Sequence, residues 1–175
     1  MTQQRTSARS LFVIGGARSG KSAYAQGLAE ASGLTPVYVA TATPGDAEMA
    51  RRIDAHRAAR GRQWQLSDAP LDLTAAILRE AAADRTLLVD CLTLWLSNLM
   101  HAGRNLEAEA LGLVSAMPDL PGQIIFVSNE VGAGIVPDNR LAREFRDAQG
   151  RLNQQVAAAC DAAVLVVAGL PLTLK

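Results

Sequence analysis

The chain has 175 residues, enough for one domain with a substantial core and too few for two comfortable ones. Its 17 basic and 17 acidic residues cancel, so no cationic excess exists to neutralise the phosphates of a nucleic acid or an anionic membrane. A hydrophobic fraction of 49% against 19% charged residues excludes a disordered polymer, and 32 alanines beside 4% aromatics favour helices packed closely on something flat.

Residues 1–10 are polar and lack an apolar stretch, so they read as a disordered tail and not as a signal peptide. Leu11–Ile14 is a short apolar run ending in Gly15-Gly16, as expected of a strand buried on both faces. A helix follows over Lys21–Ser32, and Pro36–Thr41 (PVYVAT) is the second strand. After the turn Pro44-Gly45-Asp46, Asp46 can cap a helix that runs to Arg60 and stops at Gly61. Leu71–Ala83 is a third helix and Thr86–Asp90 a third buried strand. Helices over Leu92–Met100 and Leu106–Ala116 precede a fourth strand, Gln123–Ser128. Asp138–Cys160 is a long helix, and Ala163–Ala168 closes the series as the fifth strand. Apolar strands alternating with helices make an α/β fold: one domain over 11–175, with a mostly parallel sheet covered by helices on both faces. In such sheets ligands sit beyond the carboxyl ends of the strands. Those ends are 15–22, 40–44, 90–93, 128–136 and 169 onward.

Two cysteines, Cys91 and Cys160, lie far apart in apolar stretches, which argues for reduced, buried thiols and against a disulfide framework or a zinc site. The longest apolar run, Ala162–Leu172, is broken by Gly169 and Pro171 and is too short to span a bilayer. A cytoplasmic protein is the expectation.

Gly15-Gly16-Ala17-Arg18-Ser19-Gly20-Lys21-Ser22 fits G-x-x-x-x-G-K-[ST] and stands between a strand and a helix, the context this phosphate loop requires. Its glycines let backbone N–H groups turn inward at a helix N-terminus and cradle an anion. Lys21 brings a charge to the β- and γ-phosphates, and the Ser22 hydroxyl is placed to ligate Mg²⁺. Asp90 ends the strand LLVD, where an acidic residue can hold Mg²⁺ or its water; it can equally serve as an N-cap for the helix that follows. Arg18 either adds charge for the phosphates or faces solvent. The residues to this point describe a magnesium-dependent nucleotide-binding domain, and its small size without a basic surface favours a small-molecule transferase.

The chain contains two histidines. Met49, Ile53 and His56 fall at i, i+4 and i+7, so on spacing alone His56 reads as a core residue on the apolar face of its helix. Arginines at 51, 52, 57, 60 and 62 surround it and suit either a solvated face or a triphosphate. A neutral imidazole can also attack phosphorus at neutral pH. His101, at a helix end before Ala102-Gly103, is explained by capping. Asn129, Glu130 and the glycines at 132 and 134 form either a loop with its own turns or a backbone that lets a bulky ligand approach. Arg140–Glu144 and Arg143–Asp147 are i, i+4 pairs, which read as a solvated face.

GGARSGKS at 15–22, YVAT at 38–41, EMARRIDAHR at 48–57, LLVDCLTLWLSNL at 87–99 and SNEVGAGIVPDNRLAREFRDAQGRLNQ at 128–154 together resemble the bifunctional adenosylcobinamide kinase / adenosylcobinamide-phosphate guanylyltransferases of cobalamin biosynthesis. The resemblance spans nearly the whole chain after residue 10 and implies a P-loop, RecA-like domain. It implies two reactions. ATP or GTP phosphorylates the aminopropanol hydroxyl of adenosylcobinamide; GTP then guanylylates an enzyme histidine, which passes GMP to adenosylcobinamide phosphate. The guanylylated histidine of the family falls on His56, with Ala55 where some relatives carry a second histidine. Triphosphate-contacting positions fall on 15–22, on Ala40, Thr41, Ala42 and Thr43, on Arg57, Ala58, Ala59 and Arg60, and on Asp68 and Asp90. Relatives commonly carry Glu at the last two positions, so the reach is shorter here. The resemblance also implies Mg²⁺ and a homotrimer, and it opens the alternative that some of the paired residues at 140–147 line a corrinoid cleft. The competing readings are a GTP-binding regulatory P-loop protein, which no Asn-Lys-x-Asp motif supports, and a kinase without nucleotidyl transfer.

Overall fold

The computed structural model describes residues 8–43, 61 and 63–175. Its elements in chain order are β1 (Ser10–Gly15), α1 (Lys21–Ala31), β2 (Thr35–Ala40), β3 (Gln65–Asp68), α2 (Leu73–Glu80) and β4 (Arg85–Asp90). There follow α3 (Leu92–His101), α4 (Leu106–Ala116), a 3₁₀ turn (Met117–Asp119), β5 (Gln123–Asn129), α5 (Arg140–Ala159), β6 (Ala162–Val167) and β7 (Leu170–Thr173). The helix expected over 46–60 lies outside the described residues.

The seven strands form one sheet in the order β3-β2-β4-β5-β1-β6-β7. All neighbours are parallel except β6 and β7. The five strands expected from apolar runs are all present, and two more stand at the edges. At each edge a strand has one neighbour and less to bury: β3 buries only Ser67 and β7 buries no residue, so neither carries the apolar run of an inner strand.

Strand alternation sorts the core into two layers. Phe12, Val37, Val39, Leu87, Val89, Ile124 and Phe126 face one side, where Leu73, Ile77, Leu92, Trp95, Leu96, Leu113, Leu152 and Val156 of α2–α5 cover them. Leu11, Val13, Tyr38, Leu88, Ile125, Val127, Val164 and Val166 share the other layer with Ala25 and Ala29 of α1. Small residues on α1 let it lie close to the sheet, as the alanine-rich composition suggested. Both thiols are free and buried. No helix among the described residues is long and apolar enough to cross a membrane.

Three expectations are corrected. Ser10 already belongs to β1, and the backbone N–H groups of Arg9 and Ser10 both donate to the Asp161 carboxylate at 2.9 Å, so residues 9 and 10 are ordered and not part of a tail. The N-cap of α3 is Cys91 and not Asp90. On α5, Arg140 does pair with Glu144 at 2.6 Å, but Arg143 donates to the carbonyls of Pro137 and Asp138, and Asp147 is taken by Arg146 at 2.9 Å.

Candidate active site

Because β1, β2, β4 and β5 run parallel, the loops that follow them open on one edge of the sheet. Register then decides which side chains share a face there. Ala40 lies directly opposite Asp68 on one side and Asp90 on the other. Asp90 lies opposite Val127, and Asn129, two residues beyond on the same face, lies opposite Gly15. Val127, Leu88 and Tyr38 belong to the α1 layer. The row Asp68, Ala40, Asp90, Asn129, Gly15 therefore faces the α1 side, where the loop 15–22 turns into its helix. Two carboxylates expected from the sequence and the phosphate loop are thus brought to one edge.

The loop is shaped by contacts that only glycine permits at two positions. At Gly15 a Cβ would stand 2.5 Å from the Val166 carbonyl oxygen. Gly20 is left-handed at φ 93, and a Cβ there would come within 3.1 Å of Gly169 Cα. Ser19 holds this close approach, its carbonyl accepting from the Gly169 N–H at 2.8 Å. Arg18 is also left-handed, at φ 55, and its side chain is exposed. Gly20 is the N-cap of α1 and offers no side-chain cap, so the first N–H groups of the helix stay available to an anion. Lys21 is 9% exposed and its ammonium donates to the Gly16 carbonyl at 3.1 Å, folded back over the loop it serves.

Asp90 is half-buried at the end of β4 and accepts from the Tyr38 hydroxyl at 3.3 Å. Tyr38 in turn meets Trp64 edge-on, with ring centroids 6.3 Å apart, and the Trp64 indole N–H donates to Glu30 on α1 at 3.1 Å. This chain ties the β4 carboxylate to Trp64 just before β3 and, through it, to α1. Burial first, and the Asp90 charge second, push the Cys91 thiol up to about 11, while the Lys21 ammonium pulls the other way. Cys91 is therefore a neutral thiol beside the site and no nucleophile.

Thr41 does not offer its side chain to a ligand. It is fully buried, its hydroxyl donating to the Cys91 carbonyl and accepting from the Cys91 N–H, both at 2.8 Å. Asn98 closes the same knot by donating to the carbonyls of Thr41 and Pro70 at 2.8 and 3.0 Å. Thr41 thus clamps the end of β2 to the end of β4, while Thr43 beyond it is exposed. His56, Arg57, Ala58, Ala59 and Arg60 lie outside the described residues. His101 Nδ1 lies 2.7 Å from the Ser97 carbonyl one turn back, a local helix contact.

The donor set bears on Mg²⁺. Among the described residues no three His, Cys, Asp or Glu side chains cluster to hold a metal. A hydroxyl at Ser22 and a carboxylate at Asp90 are hard oxygen donors, the sparse kind that suits Mg²⁺ completed by water and substrate phosphates. The residues fit that ion. Sequence reasoning missed Tyr38, Thr93, Gln149 and Asn153. Their only signal was polar side chains set among apolar neighbours.

Comparison with known proteins agrees with this geometry. The family model described as cobinamide kinase / cobinamide phosphate guanyltransferase matches residues 11–174. The chain is 49% identical over 166 residues to the bifunctional adenosylcobalamin biosynthesis protein CobP of Pseudomonas aeruginosa, covering 94% of this chain and 96% of that one. It is 39% identical to the protein CobU of Salmonella typhimurium, over 94% of this chain and 99% of the relative. Among solved structures, a prototypical ATPase from the type III secretion system of pathogenic bacteria superposes with a TM-score of 0.56 at 12% identity, over 94% of this chain and 56% of that one. That likeness shows the fold: a P-loop, RecA-like α/β domain.

Proposed function

The chain belongs to the cobinamide kinase / cobinamide phosphate guanyltransferase family, and from that premise we propose how its residues divide the two reactions. It is a bifunctional transferase of adenosylcobalamin biosynthesis. The observation that carries the division of labour is the shared face that sets Asp68, Asp90 and the loop 15–22 at one sheet edge.

In the kinase reaction the aminopropanol hydroxyl oxygen of adenosylcobinamide bonds to the γ-phosphorus of ATP or GTP. The bond to the β-bridging oxygen breaks, and the nucleoside diphosphate leaves. Lys21 and the loop amides neutralise charge on the phosphates, and Ser22 and Asp90 would hold Mg²⁺. When bound, that ion would supply further charge stabilisation to the phosphates. In the guanylyl reaction a ring nitrogen of His56 bonds to the α-phosphorus of GTP and pyrophosphate leaves. An oxygen of adenosylcobinamide phosphate then displaces the imidazole, giving adenosylcobinamide-GDP. An uncharged nucleophile suits this attack, since a carboxylate would be repelled by the polyphosphate. Arg57 and Arg60, with Ala58 and Ala59 between them, complete the triphosphate site; Asp68 and Ala40–Thr43 border it. The same loop serves both reactions, which requires the nucleotide to present different phosphorus atoms in turn.

The protein works in the cytoplasm as a homotrimer. Support for self-association comes from the exposed Ile135, Val136 and Leu141 after β5; light scattering in solution tests it. The division of labour is tested with labelled GTP. Label in the γ position passes to adenosylcobinamide without residing on protein, and label in the α position passes through protein to adenosylcobinamide phosphate. Label from the α position reaching product with no protein-bound stage overturns the scheme.

A further inference from the structure

The carboxyl end of β5 is gripped from both sides. Thr93 Oγ1 accepts from the Asn129 N–H at 2.9 Å, and Asn153 donates to the Asn129 carbonyl at 3.1 Å. Asn153 Oδ1 in turn accepts from Ser128 at 2.7 Å and from Gln149 at 2.9 Å. All four side chains are 9% exposed or less. Burying polar groups is unfavourable unless they bond, so this network holds the backbone it meets in one place. The next residue, Glu130, is tied across to the strand that opens the phosphate loop, its N–H donating to the Gly15 carbonyl at 3.1 Å.

The Glu130 side chain stands exposed beyond the strand end. One carboxylate oxygen, Oε1, accepts from the Gly132 N–H. Glycine is required there, because a Cβ at residue 132 would lie 2.9 Å from that oxygen and push it away. Among the described residues Glu130 pairs with no cation and makes no other side-chain hydrogen bond, so Oε2 is open. The strand order separates it from the other carboxylates of this edge. β5 adjoins β1, whereas Asp68 on β3 lies four strand spacings away, roughly 19 Å from the strand that opens the loop. Asp90 already accepts from Tyr38 and is the hard donor suited to Mg²⁺. A carboxylate on a fixed backbone, steered by one oxygen and not neutralised, is equipped to accept a proton.

We propose that Glu130 is the general base of the kinase reaction, accepting the proton of the aminopropanol hydroxyl. The inference rests on the kinase half of the function proposed above. As the hydroxyl oxygen bonds to the γ-phosphorus and the bond to the bridging oxygen breaks, the O–H proton passes to the Glu130 carboxylate, which then releases it to solvent. The guanylyl reaction has no such proton to remove. Its acceptor is a phosphate monoester, whose second pKa of about 6 leaves the attacking oxygen ionised at neutral pH. Glu130 therefore serves one of the two transfers, and Gly132 is its positioning residue.

The test follows the two transfers separately in the whole protein with Mg²⁺. One assay reads γ-label passing from GTP to adenosylcobinamide. The other reads α-label passing from GTP to adenosylcobinamide phosphate supplied ready-made. Glu130→Gln, nearly equal in shape, should lower kcat of the first by roughly a hundred- to ten-thousandfold, the range of a general base. The second transfer and the melting temperature should stay at wild-type values. Glu130→Asp keeps a base on a shorter stem and should retain more phosphoryl transfer than Glu130→Gln. Gly132→Ala should slow the phosphoryl transfer by less and spare the guanylyl transfer. A wild-type rate of phosphoryl transfer in Glu130→Gln, or an equal loss of both transfers, overturns the inference while leaving the kinase reading intact. Wild type that performs the guanylyl transfer alone would overturn the kinase reading and this inference with it.

Discussion

Replacing Gly15 with alanine confronts the new methyl group with backbone. Its Cβ would lie 2.5 Å from the Val166 carbonyl oxygen and 2.6 Å from Ser19 Oγ. The Ser19 hydroxyl can rotate away, but the carbonyl belongs to β6, the strand hydrogen-bonded beside β1. Either the two strands part at their carboxyl ends or the loop shifts. Overpacking of this kind costs about 1–3 kcal/mol. In a domain of this size each kcal/mol moves the melting temperature by about 2–4 °C, so a drop of roughly 2–12 °C is expected. Nucleotide affinity falls too, because the Gly15 carbonyl anchors Glu130 and the Gly16 carbonyl anchors Lys21. Gly16→Ala is the matched control, since nothing lies within 4 Å of a Cβ there. Thermal denaturation followed by circular dichroism, with fluorescence titration of a GTP analogue, reads both effects. A Gly15→Ala protein with wild-type melting and binding would refute the packing argument, as would a Gly16→Ala protein that melts as low.

Lys21→Ala should lower both activities by about two to three orders of magnitude, the cost of one preorganised charge contact, checked by steady-state rates with each substrate. Tyr38→Phe removes the hydroxyl that donates to Asp90 but keeps the ring against Trp64. The Mg²⁺ concentration for half-maximal rate should rise roughly two- to tenfold at an unchanged melting temperature. Burial pushes the Cys91 thiol up to about 11 and the Cys160 thiol up to about 12, from 9.0. A raised folded-state value means the unfolded chain loses its protons first. The stability the two thiols contribute is therefore complete below pH 9 and is lost as pH rises through 11 and 12. Urea denaturation between pH 8 and pH 10.5 should show this decline, and Cys160→Ala should flatten it, about neutral in volume cost aside from the small cavity it leaves.

The inner strands were legible because burial on both faces leaves an unbroken apolar run, as in Leu11–Ile14 and Thr86–Val89. The edge strands were not. Gln65–Asp68 pairs only with β2, and Leu170–Thr173 carries Pro171 and is exposed throughout, so neither shows the pattern of a covered strand. The phosphate loop was legible because its function is local: a helix N-terminus, glycines and a lysine lie within eight residues. Asp90 and Asp68 could be named but not joined until β2 was seen between them. The clamping role of the Thr41 hydroxyl was hidden for the same reason, since its partner Cys91 is fifty residues away. Asn129 and Tyr38 depend wholly on distant neighbours. No spacing in the chain announces Asn153 or Gln149 beneath one and Trp64 beside the other.

The central claim is that one phosphate cradle serves a phosphoryl transfer and a covalent guanylyl transfer through His56. Its most direct test is intact-mass analysis after incubation with GTP and Mg²⁺, followed by peptide mapping under mildly alkaline conditions that preserve a P–N bond. The account predicts a single GMP added to the wild-type chain. The adduct should be acid-labile, confined to the peptide containing residue 56, and absent from His56→Ala, which retains phosphorylation of adenosylcobinamide. A GMP-bearing peptide without residue 56, or undiminished guanylyl transfer by His56→Ala, would contradict it.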